Sequence, residues 1–225
     1  MLAAADSQSP KSVQALEQLC RAYWFPLYAF VRRRGIEATE AQDLTQSFFA
    51  YLLEKKGLGR VHPSLGKFRS FLLASMKNFL NNEWDKARRQ KRGGGAEVFS
   101  LDALAAEERY RFEPSHDDSP EKVFQRRWAQ AVVEQVAGRL KLEFANAGQG
   151  ARFEVLKAFP MGDPRDLSYD QAAAQLGLTV SAVTSASHRL RVRFRELFRA
   201  EIADIVGSPE QVDEEIRDLL VALSE

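Results

Sequence analysis

Apolar residues recur at helical spacing along this whole chain, and no segment sustains the alternation of a half-buried strand. That feature restricts the fold to an all-α architecture. Val13, Leu16, Leu19, Cys20, Tyr23, Leu27, Phe30 and Val31 fall on one stripe, with Pro26 expected to kink or break it. Gly35 ends this element after Arg32-Arg33-Arg34, cations suited to a helix C-terminus. The next helix is expected to open on a capping box, Thr39-x-x-Gln42, and to bury Ala41, Leu44, Phe48, Tyr51 and Leu52. After a loop through Gly59, Pro63 and Gly66, a long helix carries Phe68, Phe71, Leu72, Ser75, Met76, Phe79 and Leu80.

Gly93-Gly94-Gly95 and the acidic, proline-containing stretch up to Pro120 read as a linker, with a short helix expected inside 100–109. Val123, Phe124, Trp128, Val132, Val133, Val136 and Leu140 mark the following helix. The chain is thus expected to form two small helical domains, 11–92 and 120–206, joined by an acidic linker, 93–119. An acidic amphipathic tail, 207–225, follows with Val212, Ile216, Leu219, Leu220 and Leu223 on one face. It is expected to pack on the second domain or to cover that domain's basic surface. A length of 225 residues and 45% hydrophobic composition suit two such cores.

Cys20 is the only cysteine, which excludes a disulfide framework and a cysteine zinc site. No metal and no cofactor is expected. His62, His116 and His188 lie in three separate segments, and the triple glycine lacks the context of a phosphate loop. The chain is therefore expected not to be an enzyme. It has neither a signal-peptide pattern nor a membrane span, so a cytoplasmic protein is expected.

Net charge is only +1, but its distribution is uneven. Five basic residues lie between Trp84 and Arg92, and five more between Ala186 and Arg199, each group against one acid. Two basic helix ends on one chain suit two phosphate-contacting surfaces; solvated helix faces would look the same. Near the second group, Ser168-x-x-Gln171 forms a capping box, Ala173 allows a close helix crossing, and Gly177 permits a left-handed turn. Leu176, Leu178 and Val183 are expected to fill the angle, with Thr179 capping the next helix. This is the pattern of a helix-turn-helix, and it puts Ser181, Thr184, Ser185, His188 and Arg189 on the open side of a recognition helix.

The order of motifs over roughly residues 16–205 resembles the extracytoplasmic-function sigma factors. Asp43-Leu44-Thr45-Gln46-Ser47-Phe48-Phe49 is similar to that family's polymerase-binding helix. Phe68-Arg69-Ser70-Phe71-Leu72 through Lys77-Asn78-Phe79-Leu80-Asn81-Asn82 is similar to its promoter-opening helix, and His188-Arg189-Leu190-Arg191 to the end of its helix-turn-helix. The resemblance implies core RNA polymerase and promoter DNA as partners, the first domain serving the −10 element and the second the −35 element. Asp43, Gln46, Ser47 and Ala50 would then meet the polymerase. Phe68, Lys77, Asn78, Asn81, Asn82, Lys86, Arg88 and Arg89, with the loop 57–67, would hold the opened strand, and Ser181, Thr184, Ser185, His188, Arg189 and Arg191 would face the upstream duplex. It also implies control by an anti-sigma protein or a serine/threonine kinase.

Two departures stand out. Thr184 and Ala186 occupy recognition-helix positions that are often basic in the family. Gln42 and Ser47 stand where carboxylates are common, which makes Ser47, and next Thr45, candidate phosphorylation sites. The rival readings are a conventional helix-turn-helix regulator and a sigma-derived interaction protein that no longer reads promoters.

Overall fold

The computed structural model describes residues 10–54, 67–89, 107–110, 118–161, 167–206 and 209–224, with the backbone alone for 10–19, 21, 87–89, 161 and 209. Among them every regular element is helical: α1 (Pro10–Arg33), α2 (Ala38–Glu54), α3 (Phe68–Arg89), α4 (Pro120–Asn146), α5 (Gly150–Leu156), α6 (Ala158–Met161), α7 (Tyr169–Leu176), α8 (Val180–Ile205) and α9 (Pro209–Ser224). The chain divides into two compact units, 1–131 with 204–225, and 132–203.

In the first unit, α1 runs through Pro26 without interruption and ends where Gly35 takes φ +82°. Leu27, Phe30 and Val31 are buried, as are Phe48 of α2 and Leu72, Met76 and Leu80 of α3. Phe48 and Phe79 meet edge to face at 5.6 Å. The capping box expected at Thr39 does not form. The first turn closes with Ala41 N–H donating to the Glu37 carbonyl, so Thr39 lies already inside α2, and Gln42 is buried.

Two segments expected to lie outside the first domain, the linker and the tail, are tied into this unit. Residues 107–110 form a helical turn in which Glu107 accepts from the Tyr28 hydroxyl at 2.7 Å and from Arg32 at 2.8 and 2.9 Å. The Arg109 guanidinium stacks on Phe25 at 4.3 Å. Helix α9 buries Val212 and Leu219 and is bound through charge to the start of α3. Arg69 holds Glu215 by Nε at 2.6 Å and Nη2 at 3.1 Å, and Asp218 by Nη2 at 2.6 Å. Its Nη1 donates to Gln125 of α4, and the guanidinium stacks on Trp128 at 4.9 Å. Lys67 pairs with Glu214 at 2.9 Å and also with Asp218.

In the second unit α5 packs on α7 and on the C-terminal part of α4, to which α8 is also tied through Arg193 and Glu143. Phe144 meets Phe153 at 5.5 Å, and Phe159 stacks on Tyr169 at 4.4 Å. Val136, Leu140, Phe153, Leu156, Val183 and Leu190 fill the interior.

Candidate nucleic-acid interface

The helix-turn-helix forms with the caps its sequence calls for. Gln171 N–H donates to the Ser168 hydroxyl at 3.2 Å while the Gln171 side chain accepts from Ser168 N–H at 2.9 Å. Two orphan donors of α7 are thereby satisfied. Gly177 takes φ +63°, and Leu178 N–H donates back to the Ala173 carbonyl at 3.0 Å. Thr179 then caps α8, its hydroxyl accepting from Ala182 N–H at 3.2 Å. Leu178 does not fill the angle as expected. It is 37% exposed, whereas Val183 is buried as expected and Leu176 is half-buried.

On α8, Ser181, Thr184, Ser185, His188 and Arg189 all lie on exposed positions. Their i, i+3, i+4, i+7 and i+8 spacing makes one open face. Ala186 lies on the opposite, buried side, so its lack of charge has no bearing on base reading. Arg191 is half-buried and donates to the Tyr169 hydroxyl at 3.1 Å. That hydroxyl's pKa is lowered by the Ser187 hydroxyl and then by Arg191. Arg193 pairs with Glu143 at 2.7 Å and Glu196 at 2.9 Å. Arg189 and Arg195 are exposed and make no ion pair among the described residues.

In the first unit, Asn78, Asn81 and Asn82 share an exposed face of α3 that also carries Ser70, which sequence reasoning passed over. Lys77 is half-buried beside them and pairs with Glu121 at 2.7 Å, a contact that holds the Glu121 carboxyl below its ordinary range. Lys86 is exposed and pairs with Glu83 at 2.6 Å. Phe68 belongs to the core and meets Tyr23 edge to face at 5.6 Å, so it does not stand with the open amides. Trp84 is half-buried with the Arg34 guanidinium stacked on it at 4.8 Å. The run Arg32-Arg33-Arg34 signalled cations at this helix end, but nothing local in the sequence paired Arg34 with Trp84. The side chains of Arg88 and Arg89 and most of the loop 57–67 lie outside the described residues.

Asp43, Gln46, Ser47 and Ala50 are exposed together on one face of α2. Thr45 is fully buried, and its hydroxyl donates to the Ala41 carbonyl at 2.7 Å. A kinase cannot reach it in the folded chain, which removes it as a phosphorylation site. Gln42 is buried as well and does not belong to this face. Cys20 is half-buried, and burial pushes its thiol pKa up, away from the range of a nucleophile. No described helix is long and apolar enough to cross a membrane. Comparison with protein-family models, with curated proteins and with solved structures finds no match.

Proposed function

We propose that this chain is a transcription initiation factor of the extracytoplasmic-function sigma type, which directs core RNA polymerase to promoters and helps open the −10 element. The observation that carries this reading is the capped helix-turn-helix, with Ser181, Thr184, Ser185, His188 and Arg189 on one open face of α8. A helix of this kind, entered by a short turn and followed by basic residues, suits a major groove with phosphates on its flanks. Direct base reading would fall to the hydroxyls, His188 and Arg189, while Arg195 and a displaceable Arg193 would meet the backbone. In the first unit the Asn78, Asn81 and Asn82 amides offer hydrogen bonds to unstacked base edges, and the neighbouring cations suit a single strand. The exposed face of α2 is the polymerase-facing surface in this reading, and the protein acts in the cytoplasm as a non-enzymatic partner of the polymerase.

Run-off transcription with bacterial core polymerase on pooled genomic templates tests the reading. Discrete new start sites sharing paired upstream elements are expected when the protein is added. Tight binding to duplex operators without any association with core polymerase would instead assign the chain to conventional helix-turn-helix regulators. Within the same reading, Ser47 is the candidate switch, because a phosphate there would supply a charge of roughly −2 to an exposed face. Ser47→Asp is expected to bind core polymerase more tightly than Ser47→Ala, and equal binding would remove the switch.

A further inference from the structure

Lys67 and Arg69 stand at the entrance to α3, the helix whose open face carries the asparagine amides. Neither cation is left to solvent, because α9 supplies Glu214, Glu215 and Asp218 to the two of them. The arrangement is one-sided: an otherwise acidic helix spends three carboxylates on two cations. Its apolar anchoring is thin by comparison. Val212 and Leu219 are buried, whereas Leu220 and Val221 are 57% and 55% exposed. The seam is also open, since a groove of about 290 Å³ runs beside it, its walls carrying Arg69, Lys122 and Arg126, the carboxylates Glu121 and Asp218, and Val221 and Ala222 from α9. A polyanion entering that groove would meet the same guanidinium that Glu215 and Asp218 now hold.

We propose that Lys67 and Arg69 form a phosphate-binding site for single-stranded DNA, which α9 occupies in the free chain with Glu214, Glu215 and Asp218 standing where backbone phosphates would stand. The Arg69–Trp128 stack and the Gln125 side chain fix the guanidinium in place whichever anion it holds. The tail is then a competitive occupant: single-stranded DNA and α9 exclude each other at α3, and displacement of the tail accompanies strand capture. The inference rests on the reading of α3 as a strand-holding helix, but its test needs no polymerase.

The experiment uses the full chain and a fluorescein-labelled single-stranded oligonucleotide, with affinity followed by anisotropy across a salt series. Glu214→Gln/Asp218→Asn removes two of the exposed or partly exposed carboxylates while keeping Glu215 on the buried Arg69. Glu210→Gln/Asp213→Asn makes the same change of charge at two other exposed positions of the same helix. The first pair is expected to bind the oligonucleotide about tenfold more tightly than the native chain. The second pair should change affinity less than twofold, and adding Lys67→Ala to the first pair should abolish the gain. Equal gains from both pairs, or none from the first, would overturn the proposal whatever the run-off assay shows. A gain confined to the first pair in a chain that ignores core polymerase would keep the site and discard the sigma reading.

Discussion

Glu215→Leu removes one half of a pair in which both partners are withdrawn from water: Arg69 is 6% and Glu215 1% exposed. Their mutual attraction offsets two desolvation penalties, so deleting the carboxylate leaves a buried guanidinium inadequately compensated. Breaking a buried pair in this way costs about 3–5 kcal/mol. Asp218 still accepts from Arg69 Nη2 at 2.6 Å, and its side chain is 41% exposed, which places the expected loss near the lower end, about 3 kcal/mol. For a unit of this size that corresponds to a fall in melting midpoint of roughly 6–12 °C.

All three tryptophans, Trp24, Trp84 and Trp128, lie in the first unit, so their fluorescence follows that unit while far-ultraviolet circular dichroism follows both. Urea titration of Glu215→Leu is expected to move the fluorescence transition to lower denaturant and to leave the transition of unit 132–203 in place. The double variant Arg69→Met/Glu215→Leu removes both charges together, and Asp218 keeps Lys67 as its partner. It is expected to recover most of the loss, because two apolar side chains need no compensation. A single variant that loses less than about 1 kcal/mol, or a double variant that falls as far as the single, would refute the account of this network as a buried, mutually dependent pair.

Gly177→Ala places a Cβ where no atom lies within 4 Å, so its cost is the left-handed backbone alone, about 1–2 kcal/mol, read as a lower midpoint of the second unit by circular dichroism. Ser168→Ala deletes the hydroxyl that accepts from Gln171 N–H and should cost about 1 kcal/mol, whereas Ser168→Asp should retain the cap. In acid, Asp218 is the group to follow. Lys67, then Arg69, holds its pKa below the ordinary 3.8, so its contribution is complete above that value and lost as pH falls through the lower folded value. Tryptophan fluorescence should therefore show the first unit weakening below about pH 4, and Asp218→Asn should remove that part of the acid transition.

The features legible in the sequence were those set by neighbours a few residues apart. Ser168 and Gln171 form their box, Gly177 turns left-handed and Thr179 caps α8, because each needs only local backbone geometry. The all-helical architecture followed from periodicity in the same way. The failures divide by cause. Thr39 and Gln42 match the box pattern, yet α2 already starts at Ala38 and turns Gln42 inward, since the apolar Ala41, Phe48 and Phe49 set which face is buried. Ala186 stands where the resembled family is often basic, yet it shares the buried side with Val183 and Leu190. The pairing of Arg69 with Glu215, 146 residues apart, and of Arg32 with Glu107, 75 apart, has no local signature. Charge attraction carries no register, so only the folded chain shows which acid meets which base.

That limit bears directly on how basic composition relates to nucleic-acid binding. A net charge of +1 averages cations with very different obligations. Arg69 holds a buried carboxylate in the free chain, and Arg191 serves a tyrosine hydroxyl within the helix-turn-helix. Arg193 holds Glu143 and Glu196 at the surface, where ion pairs contribute little and a phosphate can displace them. Arg189 and Arg195 are exposed without such partners among the described residues. The charge available to DNA is therefore decided by pairing rather than by count, and one acidic helix can change it. Withdrawing Glu214 and Asp218 from Lys67 would raise the positive potential at the entrance to α3 without adding a single basic residue. On the proposed reading of α3, the three carboxylates of α9 outweigh Lys67 and Arg69 until an anion of higher charge density competes for these two cations.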